Sequence, residues 1–210
     1  MTRIFCLLML SLTAWGQQTI LTSKMETELP AGIMIPGKVK QLLRYTDKTG
    51  ENVVALSSTG LYFDPYRTHE AEGFLWNTGQ ELQLYAVRYQ LVAGTPVVRW
   101  QLTEAVYDCA MIMDNDFYPE ATQVTDLDNN GTAEIWLMYR KSCQWENDPA
   151  DLLVVMHHGE QRNVMRGHTR IKDVNGMFSG GDYRFDAAFR KAAPSIRNHA
   201  VRLWAAHYPD

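Results

Sequence analysis

The chain has 210 residues, 46% of them hydrophobic and 21% charged, enough for one domain with a substantial core. Lys and Arg number 20 against 24 Asp and Glu, a net charge of −4 that excludes the basic excess a nucleic-acid binder needs. Aromatic residues at 11% argue against disorder, and three cysteines are too few for a miniprotein built on disulfides.

Residues 1–16 read as a signal peptide. Arg3 supplies a positive start, residues 4–14 are apolar, and Ala14-Trp15-Gly16 places small residues where a signal peptidase cuts, which predicts a mature start at Gln17. The apolar run falls short of the roughly 20 residues that span a bilayer, so no transmembrane anchor is expected after processing. Residues 17–210 are expected to form a single β-rich domain, periplasmic or secreted to the cell surface by a Gram-negative type of export. Loss of Arg3 and Cys6 with the leader leaves 19 basic against 24 acidic side chains and two cysteines. Cys109 and Cys143 are then the one intramolecular pair, and an oxidising compartment makes a disulfide the expectation.

Along the mature chain the pattern is mostly that of strands. Val98, Trp100 and Leu102 alternate with Arg99, Gln101 and Thr103, the period of two of a strand with one buried face. Similar runs cover residues 39–46, 53–57, 81–92, 135–140, 152–157 and 163–168. Glycine-bearing turns separate them: Asp47-Lys48-Thr49-Gly50, Asn77-Thr78-Gly79, Ala93-Gly94-Thr95-Pro96 and His158-Gly159-Glu160. Connections this short imply an antiparallel meander. One helix is expected near the C-terminus, where Pro194 suits a first turn and Ile196, Ala200, Leu203 and Trp204 fall on one face that caps the sheet. The fold class is therefore mainly β, with hairpins arranged as in a propeller or a sandwich, and a C-terminal amphipathic helix.

One short segment carries coordination chemistry. In Asp126-Leu127-Asp128-Asn129-Asn130-Gly131-Thr132-Ala133-Glu134, alternate oxygen-bearing side chains sit on a tight glycine turn. Asp126, Asp128, Asn130, the Thr132 carbonyl and Glu134 can converge on a hard cation, and Ca²⁺ in a structural role is the expected occupant. An EF-hand would need a Glu where Leu137 stands, so the segment resembles instead the hairpin calcium loops of FG-GAP and integrin-type propeller repeats. The turn at Asp47-Lys48-Thr49-Gly50 echoes it, but Lys48 stands where a carboxylate would be needed, and no ion is expected there.

Other candidates carry less. His157 and His158 are neighbours and point to opposite faces of a strand, and His69, His168, His199 and His207 lack zinc spacing. Asp114, Asp116 and Glu120 offer an acid and base of the kind a glycosidase uses. Trp76, Trp100 and Trp136 read as strand residues of the core, whereas Trp145, among Gln144, Glu146, Asn147 and Asp148, does not.

The stretches 44–54 (RYTDKTGENVV), 124–143 (VTDLDNNGTAEIWLMYRKSC) and 180–189 (GGDYRFDAAF), with Tyr107-Asp108-Cys109, residues 152–159 and Arg166-Gly167, resemble a family of small exported bacterial proteins labelled surface polysaccharide biosynthesis proteins. The resemblance covers most of residues 43–204 and departs from the family pattern at residues 144–151. It implies a periplasmic or surface location and the cysteine pair, and no catalytic residue. The function expected from sequence is a non-catalytic, calcium-binding envelope protein whose partner is surface polysaccharide or an envelope protein. A glycan-active enzyme using paired carboxylates and a secreted protein-binding module are the alternatives.

Overall fold

The computed structural model describes residues 21–208 except 27, 65–68, 72–73, 77–78 and 146–147. The expected leader and the Asn77-Thr78 part of one expected turn lie outside the described residues, as do the side chains of His69 and Trp76. The first half of the chain supplies β1 (Thr22–Glu26), β2 (Lys38–Asp47), β3 (Gly50–Ser58), β4 (Tyr62–Phe63), β5 (His69–Ala71), β6 (Phe74–Trp76), β7 (Gln80–Val92) and β8 (Thr95–Cys109). Strands β1, β2, β3, β7 and β8 pair in that order as an antiparallel meander, with β4 also on β7.

The second half supplies β9 (Ile112–Met113), β10 (Asp116–Phe117), β11 (Gln123–Thr125), β12 (Glu134–Lys141), β13 (Cys143–Gln144), β14 (Asp151–His158), β15 (Gln161–His168), β16 (Arg170–Lys172), β17 (Phe178–Gly180) and β18 (Tyr183–Phe185). Helices α1 (Ala187–Lys191) and α2 (Pro194–His207) follow. Strands β12, β14, β15 and β18 form a second antiparallel meander, and β10 and β11 both pair with β12.

The two sheets share one core. Val54 and Leu56 of β3, Leu84 and Ala86 of β7 and Trp100 and Leu102 of β8 meet Ile135, Leu137 and Tyr139 of β12, Val155 of β14 and Val164 of β15. Alternation then turns Trp136 and Met138, Val154 and Met156, and Met165 to the far side, where Ile196, Ala200, Leu203 and Trp204 of α2 and Phe189 of α1 cover them. Both faces of β12 are thus occupied, which is why Glu134 to Tyr139 are buried without interruption. The outer face of the first sheet is covered more thinly, by Ile33 and Ile35 against Val53, Val87 and Tyr89.

The expected C-terminal helix is present with Pro194 in its first turn and the expected four residues buried. Sequence periodicity missed α1, which is a single short turn of helix. Asp186 caps it, one oxygen accepting the Phe189 N–H at 2.7 Å and the other the Val164 N–H of β15 at 3.0 Å. No described helix is long and apolar enough to cross a membrane.

A disulfide joins Cys109 to Cys143, with Cα atoms 5.6 Å apart. Cys109 ends β8 in the first sheet, and Cys143, two residues beyond β12 of the second, opens β13, which pairs with β9 as a separate ribbon. The bridge therefore fastens sheet to sheet beside their common core.

Candidate metal centre

The 126–134 segment is the connection from β11 to β12, and four Asx-type hydrogen bonds shape it. Asp126 accepts the N–H groups of Asn130 at 3.0 Å and Gly131 at 2.9 Å, Asp128 accepts that of Asn130 at 3.2 Å, and the Asn130 side-chain oxygen accepts that of Thr132 at 2.7 Å. Gly131 has φ +79°, a left-handed conformation that costs glycine little. The expected ligand residues are thus folded around one turn.

Glu134 differs from the others because it opens β12 and is fully buried. Its Oε2 accepts from the Thr125 hydroxyl at 2.7 Å and the Leu127 N–H at 2.8 Å, while Oε1 is buried with no hydrogen-bond partner. A buried carboxylate oxygen without a donor carries a desolvation cost of several kcal/mol by order of magnitude unless a positive partner meets it. The chemistry of that oxygen fits a cation.

A residue that the sequence offered no reason to choose completes the cluster. Cross-strand pairing sets His158 of β14 directly opposite Glu134. One ligand atom from each of Asp128, Glu134 and His158 lies within 4.8 Å of the other two. Between two of them sits the Asn130 amide: Nδ2 donates to Asp128 Oδ2 at 2.8 Å and lies 2.9 Å from His158 Nε2. The Asn130 NH₂ thus stands between the Asp128 carboxylate and the His158 ring. Asp126 and Thr132 close the turn around this group. His158 lies 24 residues beyond Glu134, so only the register of the hairpin could have revealed it.

The loop is held against the first sheet by the turn that echoes it. Lys48 donates its backbone N–H to the Gly131 carbonyl and its ammonium to the Asn130 carbonyl, both at 2.9 Å. Asp47, buried, accepts the Ala133 N–H at 2.9 Å with Oδ2, and with Oδ1 accepts the N–H and hydroxyl of Thr49 at 2.8 and 2.6 Å. Arg88 of β7, also buried, donates to Asn52 at 3.0 Å, to the Thr49 hydroxyl at 3.2 Å and across to the Gly159 carbonyl at 3.3 Å. The β2–β3 turn, the 126–134 loop and the β14–β15 turn therefore form one polar joint between the sheets. Lys48 and Arg88 supply the positive charges of that joint, and each donates to a carbonyl across it.

His157 leaves β14 on the opposite face from His158, as expected. Its ring stacks on Trp100 of β8, with centroids 4.0 Å and planes 12° apart, and both ring nitrogens are buried without partners. Burial, then the positive charges of Arg162 and Arg88, pushes its pKa down to about 4. The neutral imidazole is a core ring.

The acidic trio considered for glycosidase chemistry is divided among separate basic partners. Asp114 pairs with Arg140 at 2.7 Å, Asp116 with Lys40 at 3.1 Å and Glu120 with His207 at 3.5 Å. Trp136 and Trp100 are core residues, and Trp145 is 70% exposed.

No protein-family model, curated protein or solved structure matches the chain. Fold and site by themselves define a disulfide-linked, two-sheet antiparallel β protein with an acidic hairpin loop closed by a histidine from the neighbouring strand.

Proposed function

We propose that the chain is an exported, non-catalytic scaffold of the cell envelope in which Ca²⁺, held by Asp126, Asp128, Asn130, the Thr132 carbonyl and Glu134, locks the joint between the two sheets. The observation that carries this reading is the buried Oε1 of Glu134, unpartnered and close to a second carboxylate. When bound, the ion supplies charge compensation and cross-linking, and the apolar flanks Ile135, Trp136 and Leu137, all buried, support an architectural role. The Cys109–Cys143 bridge suits an oxidising compartment. Partnership with surface polysaccharide or an envelope protein rests on the sequence resemblance.

Thermal melting tests the cation. Millimolar CaCl₂ raises the melting temperature of the wild type over that in chelator and leaves Asp128→Ala unmoved; equal behaviour of the two proteins removes the ion and leaves a turn. Deleting the gene and measuring surface glycan tests the envelope role, which unchanged polysaccharide amount and composition would remove.

His158 favours a second reading. An imidazole nitrogen beside two carboxylates suits Zn²⁺ or Mn²⁺ better than an all-oxygen cation. In the same melt, stabilisation by micromolar Zn²⁺ that is lost in His158→Ala selects this reading, and stabilisation by Ca²⁺ that survives His158→Ala selects the first.

A further inference from the structure

At the end of β14 remote from the cation loop, the inner face of the second sheet changes character. Val155 and Val164 on that face are buried in the shared core. By strand alternation Leu153 and Asp151 of β14, and Arg166 and His168 of β15, continue the same face beyond them. Cross-strand pairing puts Leu153 opposite Arg166, and Arg166 opposite Arg184 of β18. Glu104, on the edge strand β8 of the first sheet, forms the facing wall of a cleft of about 410 Å³.

The carboxylates of this cleft are already engaged. Glu104 accepts from the Tyr139 hydroxyl at 2.8 Å and the Lys141 ammonium at 3.0 Å, with Arg162 at 3.6 Å. Asp182 and Asp151 flank the His168 ring at 2.8 and 3.8 Å. Arg166 and Arg184 are left facing each other as register partners; neither makes a hydrogen bond or close ion pair with a described residue, although, after the hydrogen bond from His168, the charge of Arg184 helps hold the Asp182 carboxyl below the usual range. Like charges directly opposed on a sheet destabilise it, whereas two guanidinium forks side by side are suited to one planar oxyanion.

We propose that this cleft binds a hydroxylated carboxylate of the uronic-acid class, its carboxylate on the Arg166 and Arg184 pair. The neighbouring acids decide the class. Asp151 and Asp182 repel a multiply charged phosphate but accept hydrogen bonds from ring hydroxyls, and Leu153 offers an apolar floor to a sugar face. The cleft volume lies within the range of small-ligand sites. Seven residue steps along β14, about 23 Å at roughly 3.3 Å per residue, separate Asp151 from His158, so this site needs neither the cation nor its loop.

Isothermal titration of the purified protein with trigalacturonate, its methyl ester, maltotriose and inorganic phosphate is the test. Trigalacturonate binds and the two neutral saccharides do not. Arg166→Gln and Arg184→Gln each weaken that binding at least tenfold, and Arg166→Lys, which keeps the charge and loses the fork, weakens it as well. The melting temperatures of the Gln variants stay level or rise, because a like-charge repulsion is relieved. Absence of trigalacturonate binding, equal binding of the methyl ester, phosphate binding as tight as trigalacturonate, or full affinity in both Gln variants overturns the proposal. Addition of chelator leaves the affinity unchanged, which separates this outcome from the fate of the cation reading.

Discussion

Asp47 and Ala133 stand 86 residues apart in the chain, yet Oδ2 of the one accepts the backbone N–H of the other at 2.9 Å. Both residues are buried, so the bond works in a low-dielectric setting and has no water to replace it. It fixes the first residue before β12 to the β2–β3 turn of the other sheet. At the far end of β12 the Cys109–Cys143 bridge makes a second crossing between the sheets. The central strand of the second sheet is thereby fastened to the first at both of its ends.

Removing the Asp47 carboxylate strands the buried Ala133 N–H and frees the Thr49 turn. A hydrogen bond to a charged group contributes about 1.5–3 kcal/mol, so Asp47→Ala is expected to lower the stability by about 2–3 kcal/mol. Urea denaturation followed by tryptophan fluorescence reads this as a lower midpoint with an unchanged slope. An unmoved midpoint would show that the joint contributes nothing.

Glu134→Gln is expected to behave oppositely in two buffers. In chelator the variant is at least as stable as the wild type, because a buried, half-paired carboxylate becomes neutral. In about 10 mM Ca²⁺ the wild type gains about 1.4–2.7 kcal/mol if its dissociation constant lies near 10⁻⁴ to 10⁻³ M, and the order reverses. Calorimetry in the two buffers checks the crossing, and parallel shifts of both proteins would argue against Glu134 as a ligand.

The disulfide closes a loop of sequence separation 34. The chain-entropy relation assigns such a loop about 4 kcal/mol, so Cys109→Ala with Cys143→Ala is expected to lose about that much. The chemical denaturation midpoint measures it, and the oxidised wild type treated with reductant should converge on the variant.

Acid sensitivity is expected from His157. Its folded pKa is pushed down to about 4, below the value near 6.5 of an unfolded chain, so between those values the unfolded state binds the extra proton. Stability from this residue is complete above about pH 6.5, declines as pH falls, and levels near pH 4 after a loss of about 3 kcal/mol. His157→Phe, which keeps a ring against Trp100, flattens that part of the curve of stability against pH. An identical slope in the variant would assign the acid response elsewhere.

Local sequence determined much of this protein. Period-two alternation placed the long strands β2, β3, β7, β12, β14 and β15 close to their observed bounds, because a residue's outward or inward direction follows from its neighbours alone. The spacing of Ile196, Ala200, Leu203 and Trp204 likewise marked α2 and its buried face. The loop at 126–134 was legible because its turn is closed by residues within five positions of one another. With Cys6 placed in the expected leader, Cys109 and Cys143 were the expected pair, and they are the pair that is bridged.

Tertiary structure alone decided the rest, since it depends on pairings that no local pattern encodes. The register that sets His158 opposite Glu134 brings a nitrogen donor to the loop, although neither histidine spacing nor loop spacing announces it. The echo of the loop at Asp47 proved to be its clamp: Lys48 donates to the Asn130 carbonyl of the other turn. The β15–β18 register opposes Arg166 to Arg184, two exposed strand residues whose meeting no local spacing announces. Hydrogen bonds between strands act on residues tens of positions apart, so which side chains meet is a property of sheet pairing, whereas which side chains turn inward is a property of the strand.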